Sequence, residues 1–195
     1  MQGGFALHHK ILDQLGIESV AVKNSNHLNI IDGLIIPGGE STTISLLIKS
    51  NKMFKSLVDF GKQNPVMGTC AGLILMAKAC NDKRIQTLGF LDIIISRNAF
   101  GRQINSKTEL IDYTFGEKNI KKITTTLIRA PKIEKINKNI LILGKILENP
   151  VAILSGHFLG LTFHPELDGI NLFHKILFDS NSDIFYKKIN REYAA

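Results

Sequence analysis

A chain of 195 residues with 44% apolar content is long enough to bury one sizeable core, so a single domain over 1–195 is expected without disulfides or a structural metal. The formal charge of +7 comes mainly from lysines scattered among asparagines and isoleucines; no stripe of arginines and aromatics accompanies them, which argues against a nucleic-acid partner. No run approaches the roughly 18 apolar residues of a membrane span, and the amino terminus lacks the charged-then-apolar layout of a secretory signal, so the expected location is the cytoplasm, away from membranes.

Residues 5–15, "FALHHKILDQL", place Phe5, Leu7, Leu12 and Leu15 between polar groups and end at Gly16, the signature of a helix with a glycine stop. "IESVAV" (17–22) and "DGLIIPGG" (32–39) read as short strands, the second apolar enough for a sheet covered on both faces. Helices over 41–49 and 52–62 and a strand at "PVMGT" follow. The alternation is that of an α/β domain with a largely parallel sheet. From residue 90 the chain changes character: "FLDIIISR", "ITTTLIRAP", "NILILGKI", "VAILS" and "FLGLTFHPE" are successive strands joined by short turns, an antiparallel or mixed extension. An amphipathic helix over 170–192, broken near Asn181-Ser182, closes the chain. The opening "MQGG" runs straight into a helix, whereas a doubly wound sheet normally begins with a strand; an upstream strand is therefore expected to be missing here.

There are two cysteines, Cys70 and Cys80. With 71–80 read as helix they stand roughly 14 Å apart at about 1.5 Å per residue, beyond the roughly 7 Å reach of a disulfide. No CxxC pair or Cys/His cluster marks a metal site. Cys70 lies in "GTCAG", where a strand turns sharply into a helix. Gly-x-Cys-x-Gly is the cysteine form of a nucleophile elbow, with glycines permitting the turn and the next N–H, that of Ala71, aimed at the atom under attack. These five residues alone fit a small packed hydrophobe as well as a nucleophile; a base has to decide.

Of six histidines, His8, His9, His27, His157 and His174 read as surface or packing residues. His164 ends the apolar strand "FLGLTF" at the carboxyl edge, where α/β sheets place their sites. Glu166, two residues on, shares its side in an extended chain and can hold one imidazole nitrogen while the other faces a thiol. The loop "PGGEST" (37–42) follows a buried strand; its glycines let backbone N–H groups approach a ligand, and Ser41 or Thr42 can cap the next helix. It lacks the ending of a P-loop, so an oxyanion hole or substrate clamp fits better.

Together "PGGESTT" (37–43), "GTCAGLILMAK" (68–78), "RNAFGRQ" (97–103), "IRAP" (128–131) and "FHPEL" (163–167) resemble the class I, triad-type glutamine amidotransferases, and within them the glutaminase subunits of pyridoxal 5'-phosphate synthase. The resemblance implies a three-layer, flavodoxin-like α/β fold with a mostly parallel central sheet and a mixed or antiparallel extension. It implies Cys70, His164 and Glu166 as the catalytic triad and the N–H groups of Gly39 and Ala71 as the oxyanion hole. It further implies Gly39, Glu40, Ser41, Arg97, Ile128 and Arg129 as the residues that bind L-glutamine, with Arg97 and Arg129 at strand ends supplying cations for its α-carboxylate. No cofactor or metal is implied. The partner is a barrel-shaped synthase subunit that receives the ammonia. Relatives carry a strand of about eight residues before "QGG", and a role for Gln2 near the oxyanion region depends on it; "SKT" (106–108) departs from their Ser-Phe. Two other readings stay open: a cysteine hydrolase of related fold acting on another substrate, and a scaffold subunit with an impaired site.

Overall fold

The computed structural model describes residues 4–97, 107–115 and 119–193; Gln2, most of "RNAFGRQ" and Ser106 lie outside them. The centre is a seven-stranded sheet ordered β1-β2-β10-β9-β8-β5-β6. Its strands are β1 (Leu34–Ile36), β2 (Val66–Thr69), β5 (Lys107–Phe115), β6 (Asn119–Leu127), β8 (Leu141–Ile146), β9 (Asn149–Ser155) and β10 (Phe158–Leu161). The parallel pairings are β1 with β2 and β2 with β10, in register at Ile36↔Gly68 and Leu161↔Thr69. From β10 outward every pairing is antiparallel, which is the extension expected from the change in pattern after residue 90. A smaller sheet, β3-β4-β7, comprises Ala77–Cys80, Leu91–Ser96 and Lys132–Ile136.

Helices α2 (Ser41–Ser50), α3 (Phe54–Gly61) and α4 (Ala71–Met76) belong to one apolar cluster with Ile36, Val66 and the inward residues of β4. Helices α5 (Leu172–Phe178) and α6 (Tyr186–Tyr193) join a second cluster with Met67, Leu159, Leu161 and Phe163. Met67 and Val66 are adjacent yet belong to opposite clusters, the strand's two-residue period sorting them. Every residue of α4 is buried; complete burial of side chains such as Leu73 and Leu75 stabilises the elbow by roughly 2 kcal/mol each.

Four expectations are corrected. Residues 17–22 form no strand: no β-ladder is assigned to them, and a β pattern without a ladder has little to hold it extended. They flank a cavity of about 680 Å³ whose other side includes Leu34 and Ile35 of β1. The helix after Cys70 stops at Met76, because Ala77–Cys80 is drawn into parallel pairing with β4; the N–H groups of Leu88 and Gly89 take the carbonyls of Leu75 and Ala77. The first helix, α1 (Phe5–Gln14), buries His8, Ile11 and Leu12 while Phe5 and Leu7 are exposed. Strands β3, β5 and β7 have no counterpart in the sequence pattern: β5, "KTELIDYTF", has no clean two-residue alternation and is held by nine paired positions with β6. The expected break in the final helix falls between α5 and α6. No described helix is long and apolar enough to cross a membrane.

Candidate active site

Strand β2 ends at Thr69 and α4 begins at Ala71, leaving Cys70 to make the whole turn with φ 47° and ψ −101°. A non-glycine residue in that region is strained and persists only where its surroundings over-determine it. Here they do. The Cys70 N–H donates to the Leu161 carbonyl at 2.8 Å, tying the elbow to β10. Any Cβ on Gly72 would sit 1.8 Å from the Ile36 carbonyl oxygen, and one on Gly68 would strike Met76 and the Gly72 backbone. The glycines on either side of the cysteine are thus contact points at which the helix crosses β1 and folds back on β2. Ala71 occupies the first helical position, where an N–H has no intrahelical acceptor.

His164 follows β10 by three residues. Its Nδ1 lies 2.7 Å from Oε1 of Glu166, and Cys70 is near enough to act on the charge of its ring. Burial pulls its pKa down, but the favourable interactions with Cys70 and Glu166 more than reverse this and raise it to about 10. The pair is not spaced by extended chain as expected: residues 165–169 form a turn, with the Leu167 N–H donating to the His164 carbonyl at 3.2 Å. Asp168 fastens that turn to β6, its carboxylate accepting from the Thr126 N–H at 2.7 Å and the Thr126 hydroxyl at 2.8 Å. The sequence gives no sign of this role for Asp168, because its partner Thr126 is 42 residues away. The Cys70 Sγ also faces the Ile128 carbonyl at 3.9 Å, so the segment after β6 reaches the thiol.

The loop after β1 completes the surroundings. The Gly38 N–H donates to Oγ1 of Thr69 at 2.9 Å, and a Cβ at position 38 would lie 2.1 Å from Cε1 of His164. Gly38 is therefore the floor against which the imidazole packs. Gly39, Glu40 and Ser41 continue into α2, whose cap is Glu40 and not the expected Ser41 or Thr42: its carboxylate accepts from the Thr43 N–H at 2.6 Å and from the Thr42 and Thr43 hydroxyls. The Thr42 bond, opposed by burial and joined by the Thr43 bonds, holds the Glu40 carboxyl at about 2.

Glu40 also meets Arg97 at 2.9 Å, and the same guanidinium pairs with Asp82 at 2.5 Å. Arg97 is thus neutralised from two sides, fastening the end of β4 to the glycine loop. Arg129, with φ 46°, is exposed and makes no ion pair among the described residues. Of the two expected arginine cations, Arg129 is the one that no described carboxylate engages. Sequence reading also missed His8. It is 3% exposed, and its Nε2 lies 3.5 Å from Oε2 of Glu166; its place three and four residues before Ile11 and Leu12 was the available signal, since those positions share a helix face.

The whole sequence bears comparison with known proteins at this point. Residues 1–180 match the SNO glutamine amidotransferase family. The chain belongs to that family. Among proteins called pyridoxal 5'-phosphate synthase subunit PdxT, one from Dictyoglomus turgidum is 44% identical over 170 residues, covering 86% of this chain and 88% of its own. The Shouchella clausii protein of the same name is 41% identical over 169 residues, 86% and 85% of the two chains. A solved glutamine amidotransferase structure superposes with a TM-score of 0.83 at 33% identity, covering 91% of this chain and 94% of that one. A glutamine amidotransferase structure from Thermotoga maritima, at 13% identity and TM-score 0.54 over 96% of this chain and 84% of that one, shares the fold. The curled mixed sheet of this SNO family member is accordingly that of the class I glutamine amidotransferases.

Proposed function

We propose that this glutamine amidotransferase hydrolyses L-glutamine to L-glutamate and ammonia through Cys70, His164 and Glu166, and passes the ammonia to a barrel-shaped pyridoxal 5'-phosphate synthase subunit. The observation that carries the reading is a cysteine on a strained elbow beside an imidazole whose charge it favours and whose Nδ1 meets a buried carboxylate at 2.7 Å. Both the family and the relatives' names point to the same chemistry.

The Cys70 thiolate attacks Cδ of the substrate amide. Negative charge moves to the amide oxygen, which the N–H groups of Gly39 and Ala71 receive. An imidazole held near pKa 10 is protonated at neutral pH, so His164 stands ready as the acid: it delivers its proton to the amide nitrogen, the C–N bond breaks, and ammonia leaves the γ-glutamyl thioester. His164, now neutral, takes a proton from water as that water attacks the thioester, and collapse returns the thiolate and releases glutamate. Glu166 orients the ring and supports its charge throughout. In this reading Glu40, Ser41, Ile128 and Arg129 bind the substrate, Arg129 supplying the cation for its α-carboxylate, while Arg97 holds Glu40 in place.

The test is ammonia release from glutamine by Cys70→Ala with the synthase subunit present. Loss of turnover is expected, with no thioester trapped on acid quench; turnover at the wild-type rate would sink the proposal.

A further inference from the structure

Behind Glu166 lies a second pair of buried imidazoles that the triad chemistry does not use. His8 of α1 and His174 of α5 are 3% and 0% exposed, and Nδ1 of His8 is 2.9 Å from Nε2 of His174. On its other side, Nε2 of His8 faces Oε2 of Glu166 at 3.5 Å. Neither of those two atoms has a closer hydrogen-bond partner among the described residues. Two buried polar atoms that each have only the other to satisfy them form a pair, and hydrogen bonds in an unliganded site are commonly long before the substrate tightens them.

The donors can be assigned. An ionised carboxylate only accepts, so Nε2 of His8 must carry the hydrogen. In a neutral ring Nδ1 is then an acceptor, and the hydrogen between the two histidines belongs to Nε2 of His174. That tautomer turns the lone pair of His174 Nδ1 toward the Ile170 carbonyl, the one neighbour that would favour a proton on this ring, although no bond of good hydrogen-bond geometry joins the two. One consistent direction runs from His174 through His8 to Glu166. Burial favours the neutral form of His8 against the pull of Glu166, with His164 and His9 acting in the same direction as burial.

We infer that His8 is a positioning residue for the reaction: it holds Oε2 of Glu166 while Oε1 holds His164, stopping the carboxylate from turning, and His174 fixes the tautomer in which His8 can do so. This inference rests on the triad reading above. The helix that carries His8 enters beside the site, its preceding Gly4 N–H donating to the Gly38 carbonyl at 3.2 Å. Movement of α1 would therefore be felt at Glu166 through one side chain.

The test separates hydrogen bonding from packing. A Gln amide nitrogen reaches the place of Nε2, whereas that of Asn reaches only the place of Nδ1. With the full chain and its synthase subunit, His8→Asn is expected to lower kcat about 10- to 100-fold with KM within about threefold, the usual reach of an outer partner; His8→Gln should recover most of the loss. His8→Asn at the wild-type rate, or His8→Gln as slow as His8→Asn, overturns the inference. Should His8→Asn melt early, nitrogen-15 NMR of the wild-type imidazoles decides: the Nε2–H tautomer of His8 is required, and the Nδ1–H tautomer refutes it. Cys70→Ala in the same assay distinguishes the two failures, since its turnover bears on the triad alone and the tautomer of His8 does not depend on it.

Discussion

His164 and His174 stand at two ends of one buried chain of side chains, at the carboxyl edge of the sheet and within the seam between α1 and α5. Burial acts on both in the same direction, against charge. Yet the first is raised to about 10 and the second lowered to about 3. The difference lies in what each ring meets. His164 touches Cys70 and Glu166, two groups that can carry negative charge. His174 meets burial first and then His8, an imidazole that opposes a proton, with only the Ile170 carbonyl in its favour. Depth within the protein does not decide whether a histidine is an acid or a strut; its immediate partners do.

The comparison breaks most severely at the carboxylate that stands between the two ends. Glu166→Gln keeps the shape but removes the charge supporting His164, and kcat for glutamine hydrolysis is expected to fall about 10²- to 10⁴-fold, the span associated with a positioned acid and base. A Glu166→Gln enzyme within tenfold of wild type would mean that Cys70 alone sustains the imidazolium. Gly38→Ala attacks the same ring from the other side. The new Cβ would stand 2.1 Å from Cε1 of His164, so the ring must leave its place, and a displacement of about 1 Å is worth roughly a hundredfold in rate. Its Tm should stay near that of wild type, since the collision is with a side chain at the site's edge; a large fall in Tm with an unchanged rate would contradict this geometry.

Much of the site could be read before any coordinates because its parts are local. "GTCAG" carries its own turn, its own small residues and the start of its own helix, and "FHPEL" brings acid and base within three residues. The same locality let the parallel strands β1, β2 and β10 be found from continuous apolar runs. What escaped is non-local. "IESVAV" has a strand's composition but no described ladder partner, and composition cannot supply one. Residues 77–80 have a helix-compatible pattern that pairing with β4 overrides. His8 and His174 are separated by 166 positions, so nothing in either neighbourhood announces that they meet. Arg97 reads as a free cation because the partners that neutralise it, Asp82 and Glu40, lie on other elements.

The charged end can be sharpened through stability. His164 has a folded pKa of about 10 against an ordinary 6.5, so its contribution is complete below pH 6.5 and is lost as pH rises through 10. Denaturant unfolding of wild type and His164→Gln should therefore show the largest gap at pH 6.5, closing by up to about tenfold in the folding equilibrium constant per pH unit above it. A gap that stays constant to pH 10 would show that the His164 proton is not held by folding.

The neutral end makes the opposite and smaller prediction. His174 is lowered from 6.5 to about 3, so its contribution is complete above pH 6.5 and is lost as pH falls toward 3, when the unfolded chain takes a proton that the folded one refuses. His174→Leu fills a similar volume and should be within about 1.5 kcal/mol of wild type at pH 7.5. It removes the titrating group, so by pH 5 wild type should have lost on the order of 2 kcal/mol relative to the variant. His8, the titratable group facing His174, remains in both proteins; the other histidines also cancel in the difference. Urea midpoints measured at pH 7.5, 6 and 5 give the two slopes directly. Parallel slopes would place the His174 proton on the folded protein as readily as on the unfolded chain, and the contrast between the two imidazoles would then owe nothing to their partners.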